Sequence, residues 1–177
     1  TRFFYYLFTL SSQTGYNNLK HVFILTANIS NVDNCINLTS ANSIYALSGN
    51  IVQDQSADCV IIKAQNITLD CSGYNISSAL NFTGVYSTQK NTTIKNCIIS
   101  MGTSGNANAI GIELVDSNFS YIFNSSIKGN SGYGISLTRA FNNIIENSSV
   151  NTTAGTGIYF INSLNNIIIG NSFNSSS

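Results

Sequence analysis

Few residues in this chain could do chemistry. Its 177 residues hold seven acids, Asp33, Asp54, Asp58, Asp70, Glu113, Asp116 and Glu146, against seven Lys plus Arg, one His (His21), four Cys and nine Tyr. Glycoside hydrolysis needs two carboxylates facing one sugar, roughly 5–9.5 Å apart. Lyase chemistry would want several carboxylates around a calcium ion with a basic residue beside them. Zinc would want a CxxC pair or a Cys/His cluster, and neither spacing occurs. The Gly-rich residues 129–134 (GNSGYG) lack phosphate-loop spacing and read as a turn. Whether any two acids can act together depends on the elements that place them.

Those elements repeat. The stretch GISLTRAFNNIIENSS is echoed 23 residues later by GIYFINSLNNIIIGNS. The shared first position recurs at Cys35, Cys59, Gly84, Gly111, Gly134 and Gly157, in steps of 24, 25, 27, 23 and 23. Seven residues on stand Asn42, Asn66, Asn91 and Asn118, then Phe141 and Leu164. A period of this size signals a stacked array. After the first position each copy reads apolar-x-apolar, as in Ile112/Leu114 and Ile135/Leu137, and a second apolar group follows at Tyr45/Leu47, Leu69, Ile94, Ile122, Ile145 and Ile168. Period-two alternation of β-branched residues means short strands with one buried face. Neither the Leu spacing nor the helical half of a leucine-rich repeat is present. The expected fold is all-β, a parallel β-helix of about six rungs over residues 35–177, with residues 1–34 as an N-terminal strand segment.

The runs CVIIKAQNITLDCSGYNI and GVYSTQKNTTIKNCII, with the later GI…NNII units, resemble right-handed parallel β-helix repeats. Such repeats occur in the pectate-lyase-like superfamily, in NosD-like proteins and in secreted archaeal surface proteins. The resemblance covers about residues 35–174. It implies the fold and leaves the activity open, because enzymes, adhesins and structural proteins share it.

Stacking the copies puts opposite charges together. Asp70 falls under Lys95 and Asp116 under Arg139, which reads as two ion pairs between rungs on a solvated face. Asp54 and Asp58 are the nearest acid pair, in a turn without a third partner. No catalytic residue, cofactor or metal site is expected. Tyr86, Tyr133 and Tyr159 could form an aromatic strip for sugar stacking, though scattered tyrosines on a β surface more often only pack. Cys35 and Cys59 share one position in adjacent rungs, about 4.8 Å apart, within disulfide reach. Cys71 and Cys97 are one residue out of register, which a bulge could absorb. Two disulfides are therefore expected, and with them an oxidising, extracellular or cell-surface setting.

Composition agrees with that setting. Only 8% of residues are charged and the net charge is zero, so a nucleic-acid partner is not expected. There is no Pro, as suits strands paired on both sides. Eleven Asn-x-Ser/Thr sequons occur where composition alone predicts about six. The better acceptors for N-glycans are Asn28, Asn37, Asn66, Asn75, Asn81, Asn91, Asn118 and Asn151. Asn124 and Asn147 are doubtful, because with Asn96 and Asn171 they recur at a corner and suggest an amide ladder.

Residues 1–10 (TRFFYYLFTL) include seven aromatic or aliphatic residues, too few to span a bilayer. No signal-peptide pattern surrounds them. A strand that caps the coil is one expectation. The other is a contact of Phe3, Phe4, Tyr5, Tyr6, Leu7 and Phe8 with a second copy, building a head-to-tail homopolymer. Altogether the sequence reads as an extracellular structural glycoprotein without catalytic activity. The alternative is a carbohydrate-binding or carbohydrate-active β-helix.

Overall fold

A computed structural model describes residues 29–52, 57–104, 108–129 and 131–175. Every regular element in it is a strand. A first strand, β1 (Ile29–Val32), precedes six rungs of three strands each. Rung 1 holds β2 (Ile36–Leu38), β3 (Ile44–Leu47) and β4 (Ile51–Val52), and rung 2 holds β5 (Val60–Ile62), β6 (Thr68–Asp70) and β7 (Asn75–Ser78). Rung 3 holds β8 (Thr83–Ser87), β9 (Thr93–Lys95) and β10 (Ile98–Met101), and rung 4 β11 (Ile110–Val115), β12 (Tyr121–Phe123) and β13 (Ser126–Gly129). Rung 5 holds β14 (Tyr133–Thr138), β15 (Ile144–Glu146) and β16 (Ser149–Thr152), and rung 6 β17 (Thr156–Ile161), β18 (Ile167–Ile169) and β19 (Ser172–Ser175).

The first strands of the rungs stack into sheet I (β2-β5-β8-β11-β14-β17) and the second, with β1 beneath them, into sheet II (β1-β3-β6-β9-β12-β15-β18). The third strands form sheet III (β4-β7-β10-β13-β16-β19). All pairing is parallel, and Ile112 lies beside Ile135 and Ile135 beside Ile158, as the repeat requires. Parallel pairing also reaches back to Ile29, opposite Ile44. The coil is a right-handed parallel β-solenoid.

Strand alternation sends one row of each sheet into a continuous core. Sheet I contributes Val60, Ile62, Val85, Ile112, Leu114, Ile135 and Leu137; sheet II Leu69, Ile94, Ile122 and Ile145; sheet III Ile76, Ile99, Ile127 and Val150. In parallel strands each such residue meets its equivalents 4.8 Å above and below, so like stacks on like.

The corners determine which outward residues share a column. At the sheet I to sheet II corner, Asn42, Asn66, Asn91, Phe119, Asn142 and Asn165 all have φ between 55° and 58°. In rungs 1–3 this left-handed residue comes seven positions after the repeat start, but in rungs 4–6 it comes eight after. Those rungs carry one more left-handed residue upstream, at Asp116, Arg139 or Asn162. Asn tolerates this conformation because its side chain bonds locally.

The sheet II to sheet III corner has the same device at Asn96, Asn124, Asn147 and Gly170. The expected amide ladder therefore holds at Asn96 and Asn124, joined by a 2.8 Å bond from Asn124 Nδ2 to Asn96 Oδ1. Asn171 does not belong to it, since Glu146 pairs with Ile169 and the position after Ile169 is Gly170. Asn171 stands one residue on, in a second ladder that turns inward. There its Oδ1 accepts the Ser148 amide and its Nδ2 donates to the Ile145 carbonyl, while Ser148 and Ser125 hydroxyls accept the Ser125 and Cys97 amides in turn. Each of these amides lies where the chain leaves a sheet, and a side chain of the next rung satisfies it.

Candidate functional site

Both disulfides are formed, Cys35–Cys59 with Cα atoms 4.4 Å apart and Cys71–Cys97 at 4.7 Å. The first fills the column that Gly84, Gly111, Gly134 and Gly157 occupy in later rungs. The second reconciles its one-residue mismatch by unequal corners: β6 to β7 uses a turn closed by the Tyr74 amide on the Cys71 carbonyl, whereas β9 to β10 turns at Asn96 alone.

The outer face of sheet I gathers the acids and tyrosines. One column runs Ile61, Tyr86, Glu113, Ser136, Tyr159, and the neighbouring one contains Thr83, Ile110, Tyr133 and Thr156. Thr83 connects two carboxylates: its amide donates to Asp58 Oδ1 at 2.8 Å and its hydroxyl to Glu113 Oε2 at 3.4 Å. Burial pushes the Glu113 carboxyl above the ordinary range, nearby Asp58 adds to this, and the Thr83 bond opposes both. Burial also raises the Tyr86 phenol, helped by Glu113, Asp58 and Asp116 and opposed by Arg139. This acid pair was not anticipated. Its members stand 55 residues apart and in different columns, and Thr83, which has no charge to mark it, is what links them. Asp54, the partner expected for Asp58, lies outside the described residues, as do His21, Asn28 and the residues 3–8 assigned to a subunit contact.

The tyrosine strip is divided. Tyr133 and Tyr159 stack face to face, centroids 4.4 Å apart and planes at 5°, so each covers a face of the other. Tyr86 sits three rungs from Tyr159 in the same column, with Glu113 and Ser136 between them. Three tyrosines therefore do not make one stacking platform.

The two expected ion pairs are present. Lys95 Nζ is 3.1 Å from Asp70 Oδ2, and Arg139 reaches both oxygens of Asp116 at 2.8 and 2.9 Å. Burial works against ionisation of Asp70, but bonds from Asn96, the Ser72 amide and Lys95 outweigh it and lower its pKa. The Arg139 hydrogen bonds and charge do the same for Asp116, against an opposing effect of desolvation.

Among the sequons, Asn37, Asn81, Asn91 and Asn151 are exposed. Asn75 and Asn118 are half-buried. The Asn75 Oδ1 is enclosed without a hydrogen-bond partner, and the Asn118 Oδ1 accepts the Phe141 amide. Asn66, counted among the better acceptors, is a ladder residue: its Nδ2 donates to Asn42 Oδ1 at 2.7 Å. It belongs with Asn124 in the doubtful class, for the same reason. Among the described residues no group of three or more His, Cys, Asp or Glu could hold a metal, and no helix is long and apolar enough to cross a membrane.

Parallel rungs, a three-sided core and Asn-turned corners define the class as the parallel β-solenoids. Residues 15–177 match the family described as right handed beta helix region, and the chain belongs to it. No curated protein and no solved structure matches it.

Proposed function

We propose that this chain is a structural glycoprotein of the cell exterior, a rigid coil that bears sugar and catalyses nothing. The observation that carries the reading is the pair of disulfides clamping rung 1 to rung 2 and rung 2 to rung 3. Such bridges persist in oxidising compartments and would be reduced in a cytosol. The exposed sequons at Asn37, Asn81, Asn91 and Asn151 are positioned to carry glycans outward. The test is the intact mass of native protein, with and without alkylation and with and without glycan removal. Four blocked cysteines and a mass that drops on deglycosylation are expected. Free thiols or an unmodified mass would overturn the reading.

One observation favours a second reading, a carbohydrate-active face on sheet I. Glu113, held towards its protonated form, and Asp58 contact the same residue, and general acids are tuned in this way. Depolymerisation of a polysaccharide by the wild-type chain, lost in Glu113→Gln, would establish it. No depolymerisation across neutral and acidic polysaccharides would remove it.

A further inference from the structure

The outer face of sheet II changes character half-way along the coil. In rungs 2 and 3 its outward residues are Thr68, Asp70, Thr93 and Lys95; in rungs 4–6 they are Tyr121, Phe123, Ile144, Glu146, Ile167 and Ile169. At the corner beside them stands Phe119, 61% exposed. Rungs 4 and 5 have a rung on either side, so the exposure of Phe119 and Ile144 is that of a sheet face and owes nothing to an open end. Phe119 is also the one non-Asn among the six left-handed residues of its corner, with φ 57°. A bulky residue is strained there, and this one fills no core.

The residue before it opens a sequon, Asn118-Phe119-Ser120. The next rung pins the Asn118 side chain, because the Phe141 amide donates to it at 2.7 Å. A backbone N–H can only donate, so the atom it meets is Oδ1. Nδ2 then has no acceptor among the described residues and is not enclosed, so it opens to solvent. An N-glycosidic bond is made at Nδ2 and leaves Oδ1 accepting as before. Asn66 and Asn124 differ, since their Nδ2 atoms donate into ladders.

We propose that Asn118 carries an N-glycan whose first sugars lie on the apolar face of rungs 4–6. This rests on the glycoprotein reading and adds to it a particular site and a role, the covering of Phe119 and its neighbours. The donor is a glycosyl diphosphate: Nδ2 bonds to the anomeric carbon and loses a proton, the anomeric carbon–oxygen bond breaks, and the diphosphate leaves with the electron pair. Ser120 is buried and its hydroxyl accepts the Thr92 amide, so transfer precedes the closing of rung 4 on rung 3.

Size, chemistry and attachment each favour sugar. The patch measures about 10 Å along the axis and at most about 13 Å across, from Phe119 to Phe123. That plan is far below the roughly 800 Å² per partner of a stable protein interface. A sugar ring offers a C–H face to the electron-rich faces of aromatic rings and hydroxyls at its rim. Glu146 accepts a hydrogen bond from the Tyr121 hydroxyl and has no basic partner among the described residues. An apolar protein surface would bury that carboxylate short of donors, whereas sugar hydroxyls supply them. Asn142, next above Phe119 in the corner column, is exposed and can bond the rim as well. Asn118 and Phe119 are consecutive, their Cα atoms about 3.8 Å apart, and a tethered group needs little affinity to stay in place.

The test combines site occupancy with a reading of the ring itself. Glycopeptide mass spectrometry of native protein reports on Asn118. Oxidation of Phe119 by hydroxyl radicals is then compared between native protein and two bare forms, with circular dichroism checking each fold. One is Asn118→Asp, which keeps the oxygen that the Phe141 amide uses. The other is the unaltered chain secreted into the periplasm of a bacterium that lacks N-glycan transfer, where the disulfides can form. Expected are sugar on Asn118 and at least threefold less oxidation of Phe119 in the native protein than in either bare form. An empty Asn118 beside an occupied Asn37 overturns the proposal and leaves the glycoprotein reading standing; no sugar at any sequon overturns both. Equal oxidation of Phe119 with sugar attached would show a glycan directed away from the patch, which overturns the proposal too.

Discussion

Single residues in this coil carry opposite signs of pH dependence. Glu113 has a raised pKa in the fold, so as pH climbs past the unfolded value of about 4.3 the unfolded chain loses its proton first and stability falls until the folded carboxyl also ionises. Glu113→Gln is therefore expected to raise the melting temperature at pH 7 and to leave it unchanged at pH 3, where both forms are protonated. Asp70 behaves in reverse. Its folded pKa is lowered, so its contribution is present above about pH 3.9 and is lost as pH falls through the folded value. The pair with Lys95 is partly solvated and contributes at most about 1 kcal/mol. Asp70→Asn should lower the melting temperature slightly at neutral pH and leave it nearly unchanged below the folded value, which flattens the acid limb of the profile. The Lys95 partner of Asp70 was legible in the repeat, but the sign for Glu113 was not, because it depends on which side chains enclose the carboxyl.

At the scale of elements, the column of repeat-start residues explains why Cys gives way to Gly. A Cβ on Gly134 would lie 2.2 Å from Val150 Cγ1 and 2.7 Å from the Gly157 carbonyl oxygen, so sheet III and the next rung close over it. Gly134→Ala should cost roughly 1–3 kcal/mol by overpacking, read as a lower denaturant midpoint. Each disulfide closes a loop of about 25 residues, which the chain-entropy model values at roughly 3 kcal/mol. Replacing Cys35 and Cys59 together by Ser should lower unfolding free energy by about that amount, and the Cys71/Cys97 pair likewise. The sequence made the first disulfide readable because both cysteines hold the same repeat position. The second needed corners of unequal length, whereas Asn171 misses its expected ladder because Gly170 holds that corner position.

The whole molecule is close to one-dimensional: each rung touches only its neighbours, so stability is a sum of rung and interface terms. Rungs 2 and 3 carry disulfides and rung 5 does not, although all three are flanked on both sides. Hydrogen exchange should therefore slow most at the amides of Leu69 and Ile94 and least at that of Ile145, with the gap shrinking after reduction. Equal protection across the three rungs would show that the clamps act only on the unfolded chain.

The sequence alone determined the coil. A period of 23 to 27 residues and alternation of apolar residues fixed the six rungs, their parallel register and their inward rows, because those signals are local and six-fold repeated. Tertiary structure decided what the outside presents. Left-handed corners absorb one residue here and two there, and a slip of one residue moves a side chain to another column or face. That is why Asp58 and Glu113 meet at Thr83, why Asn66 is tied into a ladder, and why Phe119 projects into solvent where the pattern shows Asn.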